Sequence, residues 1–429
     1  MPRPVPVRVA LALACLAAPV TATPARAATK YDLVSQDTFP GPRGTSYKNL
    51  AVSGDGRWIA YLAGAGSGVA PSETELIPAS SNEMYLADLK TGRQTLVMRG
   101  TCCISSLSLS RDGRYVVFES YEALVPGDDN QRYDVHLYDA KTKRLNRMTN
   151  VRGGQLELGA TSGVVTPDGS TVVFNSVSDV LAKKGQQAPP CSLYKYSLKT
   201  RKTTPVLIAG QPVCSFPDGL ATSTDGRYLA VLTMDKLVRD DALGTQDVYW
   251  IDTAKQRAVL VSAPPPATGE TDEISDSPTI DGAGRLVGFV SGGTTPFGLA
   301  PDKHVRLREV ASGRLIPVSY GLLGENATDT EEPHLSENGR WLTFTDNHGQ
   351  LTSAYHYDLR AVYVRDLTKD ISTTTRIEPL GDCLDPSCTH PSSQSAMPSA
   401  DGKVIAYLTN MAHSERDSDE RFDVYVARP

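Results

Sequence analysis

After residue 27 the sequence has no apolar run approaching 18 residues, so nothing there reads as a membrane-spanning helix. Nor does it carry a surplus of positive charge. Lys and Arg number 43 against 49 Asp and Glu, a formal net charge of −6. An acidic chain repels phosphate backbones, which excludes nucleic acid as a natural partner. The sequence contains no G-x-S-x-G nucleophile elbow, no glycine-rich phosphate loop and no dinucleotide fingerprint. Without them the α/β-hydrolase, nucleotide-hydrolase and nicotinamide classes have no sequence support. Helical spacing is scarce too. Apolar residues alternate in short runs, as they do in half-buried strands.

The first 27 residues have the pattern of an export signal. Arg3 and Arg8 form a basic start, residues 9–20 an apolar core, and Ala25-Arg26-Ala27 a small-x-small cleavage site before Ala28. Cys15 lies in the apolar run, but its neighbours fit a lipid-attachment box only loosely. Loss of residues 1–27 removes three Arg, leaving 40 basic against 49 acidic residues, about −9. The expected location is the periplasm, the cell envelope or the medium.

From residue 28 to 429 a short phrase recurs seven times. A small hydroxyl or turn-prone residue precedes Asp-Gly or a variant, then usually a basic residue and a β-branched or aromatic run. Its glycines are Gly56, Gly113, Gly169, Gly226, Gly284, Gly339 and Gly402, spaced 57, 56, 57, 58, 55 and 63 residues apart. Such a period marks one supersecondary unit copied many times. In the second copy, strands are expected at 107–110, 115–119, 134–139 and 145–149. The Asp-Gly step suggests a two-residue hairpin with both turn positions at φ > 0. Four antiparallel strands in each of seven repeats predict an all-β chain, a seven-bladed β-propeller. Tyr85, Tyr194, Tyr249, Tyr363 and Tyr425 share one register in the third strands, with His136 and Arg306 as substitutes. The seventh repeat shows only three strands. Tyr31-Asp32-Leu33-Val34-Ser35 resembles a fourth, so the N-terminus is expected to complete the last blade and close the ring.

Ser-x-Asp-Gly-Arg before an apolar strand, and Asp-Val-Tyr-x-x-Asp later, resemble the WD40-like (PD40) propeller repeat of TolB-like secreted bacterial proteins. The best copy is "LSRDGRYVVFES…LVPGDDN…YDVHLYD", and the resemblance covers about residues 30–429. It implies the propeller and an envelope location. TolB has six blades and a preceding α/β domain, for which the roughly 20 residues between Ala28 and Asn49 leave no room. The repeat serves unrelated functions, so it names no activity.

Propeller topology puts the Asp-Gly turns on one face and the longer loops on the other, where binding usually sits. The expected partner is a protein, peptide or glycan, bound by a monomer. All six cysteines after residue 27 map to the long-loop side. Locality suggests Cys191–Cys214 and Cys383–Cys388 as disulfides, with Cys102 and Cys103 vicinal or free. Acidic residues Asp218, Glu273, Asp276, Glu331 and Glu332 fall near the axial mouth, and Asp128 and Asp129 offer oxygen ligands in a loop. Five histidines cluster late in the chain: His334, His348, His356, His390 and His413. His334 beside Glu331 and Glu332 opens a second reading, a metal-assisted polysaccharide lyase or hydrolase. That reading resembles the oligogalacturonate lyases, propellers that use a metal and histidines near the channel. It would place a divalent metal on His334, His356, His390 and His413, with His334, Glu332 and His390 as catalytic groups. The leading reading needs no cofactor and is a binding module without catalysis.

Overall fold

A computed structural model describes residues 30–35, 45–65, 82–101, 104–128, 131–148, 159–176, 191–239, 241, 245–263, 274–292, 303–319, 329–347, 351, 360–369, 374–377, 392–411 and 422–429. Seven four-stranded antiparallel sheets and the turns between their strands account for most of them. Blade 1 runs from Thr45–Val52 to Arg93–Thr101, and blades 2 to 6 follow in chain order. Blade 7 takes three strands from the end of the chain and one from its start. Lys30–Leu33 pairs antiparallel with Asp423–Arg428 in the register Lys30↔Arg428 to Leu33↔Tyr425. The expected closure is therefore present. Among the described residues there is no helix, and so none long and apolar enough to cross a membrane. A small hairpin, Leu207–Ile208 with Gln211–Pro212, sits between blades 3 and 4.

The apolar core is divided into seven slabs, one between each pair of neighbouring blades. Ile59, Tyr61, Leu408 and Val424 fill the junction of blades 1 and 7. Ala60, Leu62, Val116 and Phe118 fill that of blades 1 and 2. The alternation seen in the sequence follows, because each sheet has a blade on both sides and its two faces feed different slabs. The shared third-strand register stacks on the second strand. Tyr61–Tyr85, Phe118–His136, Phe174–Tyr194, Phe344–Tyr363 and Tyr407–Tyr425 lie 5.5–6.2 Å apart. His136 packs in that row, as its position in the repeat suggested.

The repeated turn differs from the expected hairpin. The seven glycines alone are left-handed in it, with φ between +67° and +71°. Gly56 N donates to Ser53 O at 2.9 Å, closing a four-residue turn around Asp55. Asp55 contributes through its side chain rather than its backbone. Its Oδ1 accepts from Ser53 Oγ and from Arg57 N, while Ser53 Oγ accepts from Trp58 N. The same three bonds recur at Ser110, Ser223 and Ser399. Arg57 then reaches the end of the third strand and pairs with Asp88 through two bonds of 2.9 and 2.7 Å, its guanidinium lying over Trp58. Arg114–Asp139, Arg227–Asp252 and Arg340–Asp366 repeat this arrangement over Tyr115, Tyr228 and Trp341. The bond from Arg57 holds the Asp88 carboxyl well below the usual carboxylate range, against the opposing effect of burial.

Each turn also seats the next blade. A Cβ on Gly113 would lie 2.2 Å from Trp58, one on Gly284 2.3 Å from Tyr228, and one on Gly402 2.1 Å from Trp341. Around the axis the turns are joined by backbone bonds alone. Asp55 N donates to Arg111 O, Arg111 N to Pro167 O, Asp168 N to Thr224 O, and Thr224 N to Gly282 O. Gly282 N donates to Glu337 O, Asn338 N to Ala400 O, and Ala400 N to Gly54 O. All seven span 2.7–3.1 Å, and together they form an unbroken belt through the seven blades.

On the other face, Cys191 and Cys214 form the expected disulfide, with their Cα atoms 5.2 Å apart. Cys102, Cys103, Cys383 and Cys388 lie outside the described residues.

Two stability measurements test these assignments. Gly113→Ala and Gly402→Ala must accommodate both a left-handed alanine and an aromatic ring in the way, so each should lose about 2–5 kcal/mol in denaturant unfolding. Gly92 is equally left-handed, but nothing lies within 4 Å of its Cβ position. Gly92→Ala should therefore lose only about 1 kcal/mol. Replacing both Cys191 and Cys214 by Ser should lose about 3 kcal/mol, through the loop that the bridge closes.

Candidate functional site

The inner strands of the blades line the axis, and they share an irregularity. In six blades the ladder to the second strand slips at one point, for example between Thr161 and Val164 and between Glu331 and His334. The residue in each slip is left-handed: Asn49, Ser106, Ser162, Ser277, Glu332 and Ser395. In blade 4 Asp218 takes the same conformation just before the short inner strand Leu220–Thr222. Apart from Asn49 at +21°, their φ angles lie between +48° and +57°. Such a conformation costs a non-glycine residue about 1–3 kcal/mol, so seven of them persist only because the neighbours enforce them. The bulged segments are held by side chains of the preceding blade. Gly163 N donates to Glu119, Val165 N to Ser108, Leu335 N to Thr279 and Ser395 N to Glu332, at 2.8–3.1 Å.

The bulges turn polar side chains toward the axis and ring a cavity of about 320 Å³. Hydroxyls and amides of Asn49, Ser106, Ser162 and Ser395 share its wall with the Asp218 carboxylate and the His334 imidazole. Leu50, Leu107, Val164, Leu220 and Met397 supply apolar surface between them. Further along the same strands a second cavity of about 160 Å³ continues the channel past Val52, Leu109, Ile280 and Leu335. An ion pair crosses its end. Arg111 of blade 2 passes close to Gly54 of blade 1 and meets Glu337 of blade 6, with Nε to Oε2 at 2.9 Å. Glu337 also accepts from Thr224 of blade 4 and lies against Gly282 of blade 5. The channel is thus bridged on the short-turn side.

Beside the mouth, blades 5 to 7 carry a charged network. Lys303 Nζ lies 3.1 Å from Glu331, and Arg360 Nη2 lies 3.1 Å from Glu331 and 3.0 Å from Glu332. Arg360 also donates to Gln394, Asn347 to Glu331, and Thr345 to Glu332. Burial works against the Glu331 charge, but hydrogen bonds from Asn347 and Lys303, with the nearby positive charges, outweigh it and hold its carboxyl below the ordinary value. Burial pushes the His334 imidazole below its ordinary value, with Glu332 opposing. Glu331 is therefore kept as a carboxylate and His334 as a neutral ring near pH 7.

The structure brings Asp218 and His334 onto one cavity wall and places Glu331 and Glu332 beside it. Asp276 sits in the bulged strand of blade 5, close enough to favour the Lys303 charge. Asp128 does not join them. It turns inward, 2.8 Å from Arg147, facing His136 Nε2 at 3.8 Å, and burial raises its carboxyl above the usual range. Asp129, Glu273, His348, His356, His390 and His413 lie outside the described residues. Among the described residues no three His, Cys, Asp or Glu side chains are placed to hold a metal ion together, so those present do not form a metal site around His334. Sequence reasoning missed Lys303, Arg360, Arg111 and Glu337. The last two were detectable. In the residue before Asp-Gly the seven repeats read Gly54, Arg111, Pro167, Thr224, Gly282, Glu337 and Ala400, and the only two charges have opposite sign.

No protein-family model matches the chain, and neither does any curated protein. Solved structures match the fold. An oligogalacturonate lyase in complex with manganese is 14% identical, with a TM-score of 0.52 over 93% of this chain and 96% of that one. The β-propeller domain of the Trilobed protease from Pyrococcus furiosus, described as having an open velcro topology, is 9% identical, with a TM-score of 0.53 over 92% and 94%. TolB from Acinetobacter baumannii is 18% identical, with a TM-score of 0.38; the match covers 63% of this chain and 53% of that one. At these identities the likeness is to the propeller fold alone.

Arg111 is half exposed although Glu337 is largely buried, so a double-mutant cycle with Arg111→Ala and Glu337→Ala should give a coupling of about 0.5–1 kcal/mol that shrinks in salt. His136 supplies a pH test. Burial lowers its pKa to about 4, below the ordinary 6.5, so the unfolded chain takes up a proton first as pH falls. Stability should drop between about pH 6.5 and 4, and His136→Phe should flatten that part of the urea-unfolding profile, leaving the contribution of His334.

Proposed function

We propose that this chain is an exported propeller that binds a protein, peptide or glycan at the axial mouth on its long-loop face. The observation that carries this reading is the cavity of about 320 Å³ ringed by bulge residues of several blades. A rigid cup of hydrogen-bonding and apolar surface suits recognition. The carboxylate nearest an acid–base role, Glu331, is tied in ion pairs and held ionised. The Cys191–Cys214 bridge fits an oxidising compartment outside the cytoplasm, which supports residues 1–27 as the export signal. The Asp-Gly repeat and the closed ring support the TolB-like assignment, with seven blades and partners of its own.

The second reading, metal-assisted cleavage of a polysaccharide, is favoured by His334 on the cavity wall and by the likeness to the manganese-bound lyase. Thermal unfolding separates the two. On the binding reading, EDTA leaves the melting temperature unchanged, at least one oligosaccharide or envelope-derived peptide raises it by mass action, and no new chain ends form. A melting temperature that drops in EDTA and returns with Mn²⁺, together with polysaccharide turnover lost in His334→Ala, would overturn it.

A further inference from the structure

We propose that the axial cup takes a slender organic cation, the side chain of a lysine or arginine presented by a peptide or protein partner. The inference rests on the binding reading above and names its ligand class. Among the described residues lining the cup there is one carboxylate, Asp218, and no lysine or arginine. Asp218 stands in the left-handed bulge conformation and is solvent-exposed, and Ser106 of blade 2 donates a hydrogen bond to its Oδ1. That bond fixes the carboxylate on the cavity wall and leaves its second oxygen available to a ligand. His334, held neutral, adds polar surface without adding a repelling charge. Ser395 adds a further polar residue to the wall.

The rest of the wall decides between a bare ion and a side chain. Leu50, Val164, Leu220 and Met397 give the cup apolar flanks, which a hydrated metal ion or a sugar would leave unmatched. An ammonium or guanidinium on an aliphatic stem satisfies both surfaces at once, the stem against the leucines and the head at Asp218. The field at the mouth has the same sign. Among the described side chains there, the carboxylates Asp218, Asp276, Asp329, Glu331 and Glu332 outnumber the cations Lys303 and Arg360, which are engaged by Glu331 and Glu332. Arg111 lies beyond the apolar tier of Val52, Leu109 and Ile280 and is neutralised by Glu337. Net negative charge around a low-dielectric cleft draws cations in.

Blocked pentapeptides test this, with a central lysine, arginine or norleucine between glycines. Binding is followed by calorimetry and by melting temperature. The lysine or arginine peptide should bind the wild type at least about tenfold more tightly than the norleucine peptide. Raising the salt from about 50 mM to about 500 mM should narrow that gap, because the attraction is partly screened. Asp218→Asn removes the charge but keeps a residue that tolerates the left-handed backbone, so the fold survives and the preference should disappear. The wild-type comparison stands even without the variant. Cadaverine distinguishes the source of the cation: binding as tight as that of the lysine peptide assigns the cup to free amines and overturns the protein-partner assignment. If the norleucine peptide or a neutral oligosaccharide binds as well as the lysine peptide, and equally in Asp218→Asn, the cation proposal fails and the binding reading stands. If no peptide, oligosaccharide or amine shifts the melting temperature, both fail.

Discussion

Seven backbone hydrogen bonds around the axis set the terms for everything else in this molecule. Each runs from the turn of one blade to the turn of the next, so the turns must approach within amide–carbonyl distance. Close approach explains the small or ring-shaped residues at five of the seven positions before Asp-Gly. It also sets the turn glycine against a side chain of the preceding blade, a tryptophan or tyrosine at Gly113, Gly169, Gly284 and Gly402. There the aromatic ring is fixed from its other side by an arginine, and the arginine by an aspartate at the end of the adjacent third strand. The repeated phrase in the sequence is thus one mechanical unit. Serine and aspartate shape the turn, glycine lets the next blade in, and arginine locks the aromatic seat.

The belt holds the inner strands at one end, and the bulges reshape them at the other. Because a left-handed residue recurs in every blade, such side chains of five blades meet on the wall of one cavity. The ring is symmetric in backbone and asymmetric in chemistry. Blades 2, 3 and 7 present serines, blade 4 an aspartate, and blades 5 and 6 lie beside a network of opposed charges. Asymmetry of this kind lets a symmetric scaffold recognise one end of an asymmetric ligand.

The fold was legible because its determinants are local. Asp-Gly turns, alternating strands and the unmatched strand at Tyr31–Ser35 each show within a few residues, and repetition multiplies the signal. The turn type was misread because Asp55 resembles a left-handed turn residue, whereas it serves as a side-chain acceptor. The bulges left no common letter, since Asn49, Ser106, Asp218 and Glu332 share a backbone conformation imposed by packing and not by type. Asp218, Glu331, Glu332 and His334 could be placed near the axis by counting strands. Their partners Ser106, Lys303 and Arg360 lie 28 to 112 residues away, and nothing in the repeat announces those pairings. Asp128 read as an oxygen ligand in a loop because its inward turn depends on Arg147, on the fourth strand of the same blade.

Closure of blade 7 by Lys30–Leu33 has a kinetic side. The strand that is made first must wait for Asp423–Arg428, which is made last. Six blades can assemble in order as the polypeptide emerges, yet the ring stays an open arc with unpaired edges until both ends meet. Contacts spanning nearly the whole sequence form slowly, because their loop entropy must be overcome before they return any stabilisation. The interval before they form is when exposed edges invite pairing with other chains. A protein with this topology depends on remaining unmolested during its final joining step, and its edge strands at Lys30 and Arg428 are where that vulnerability lies.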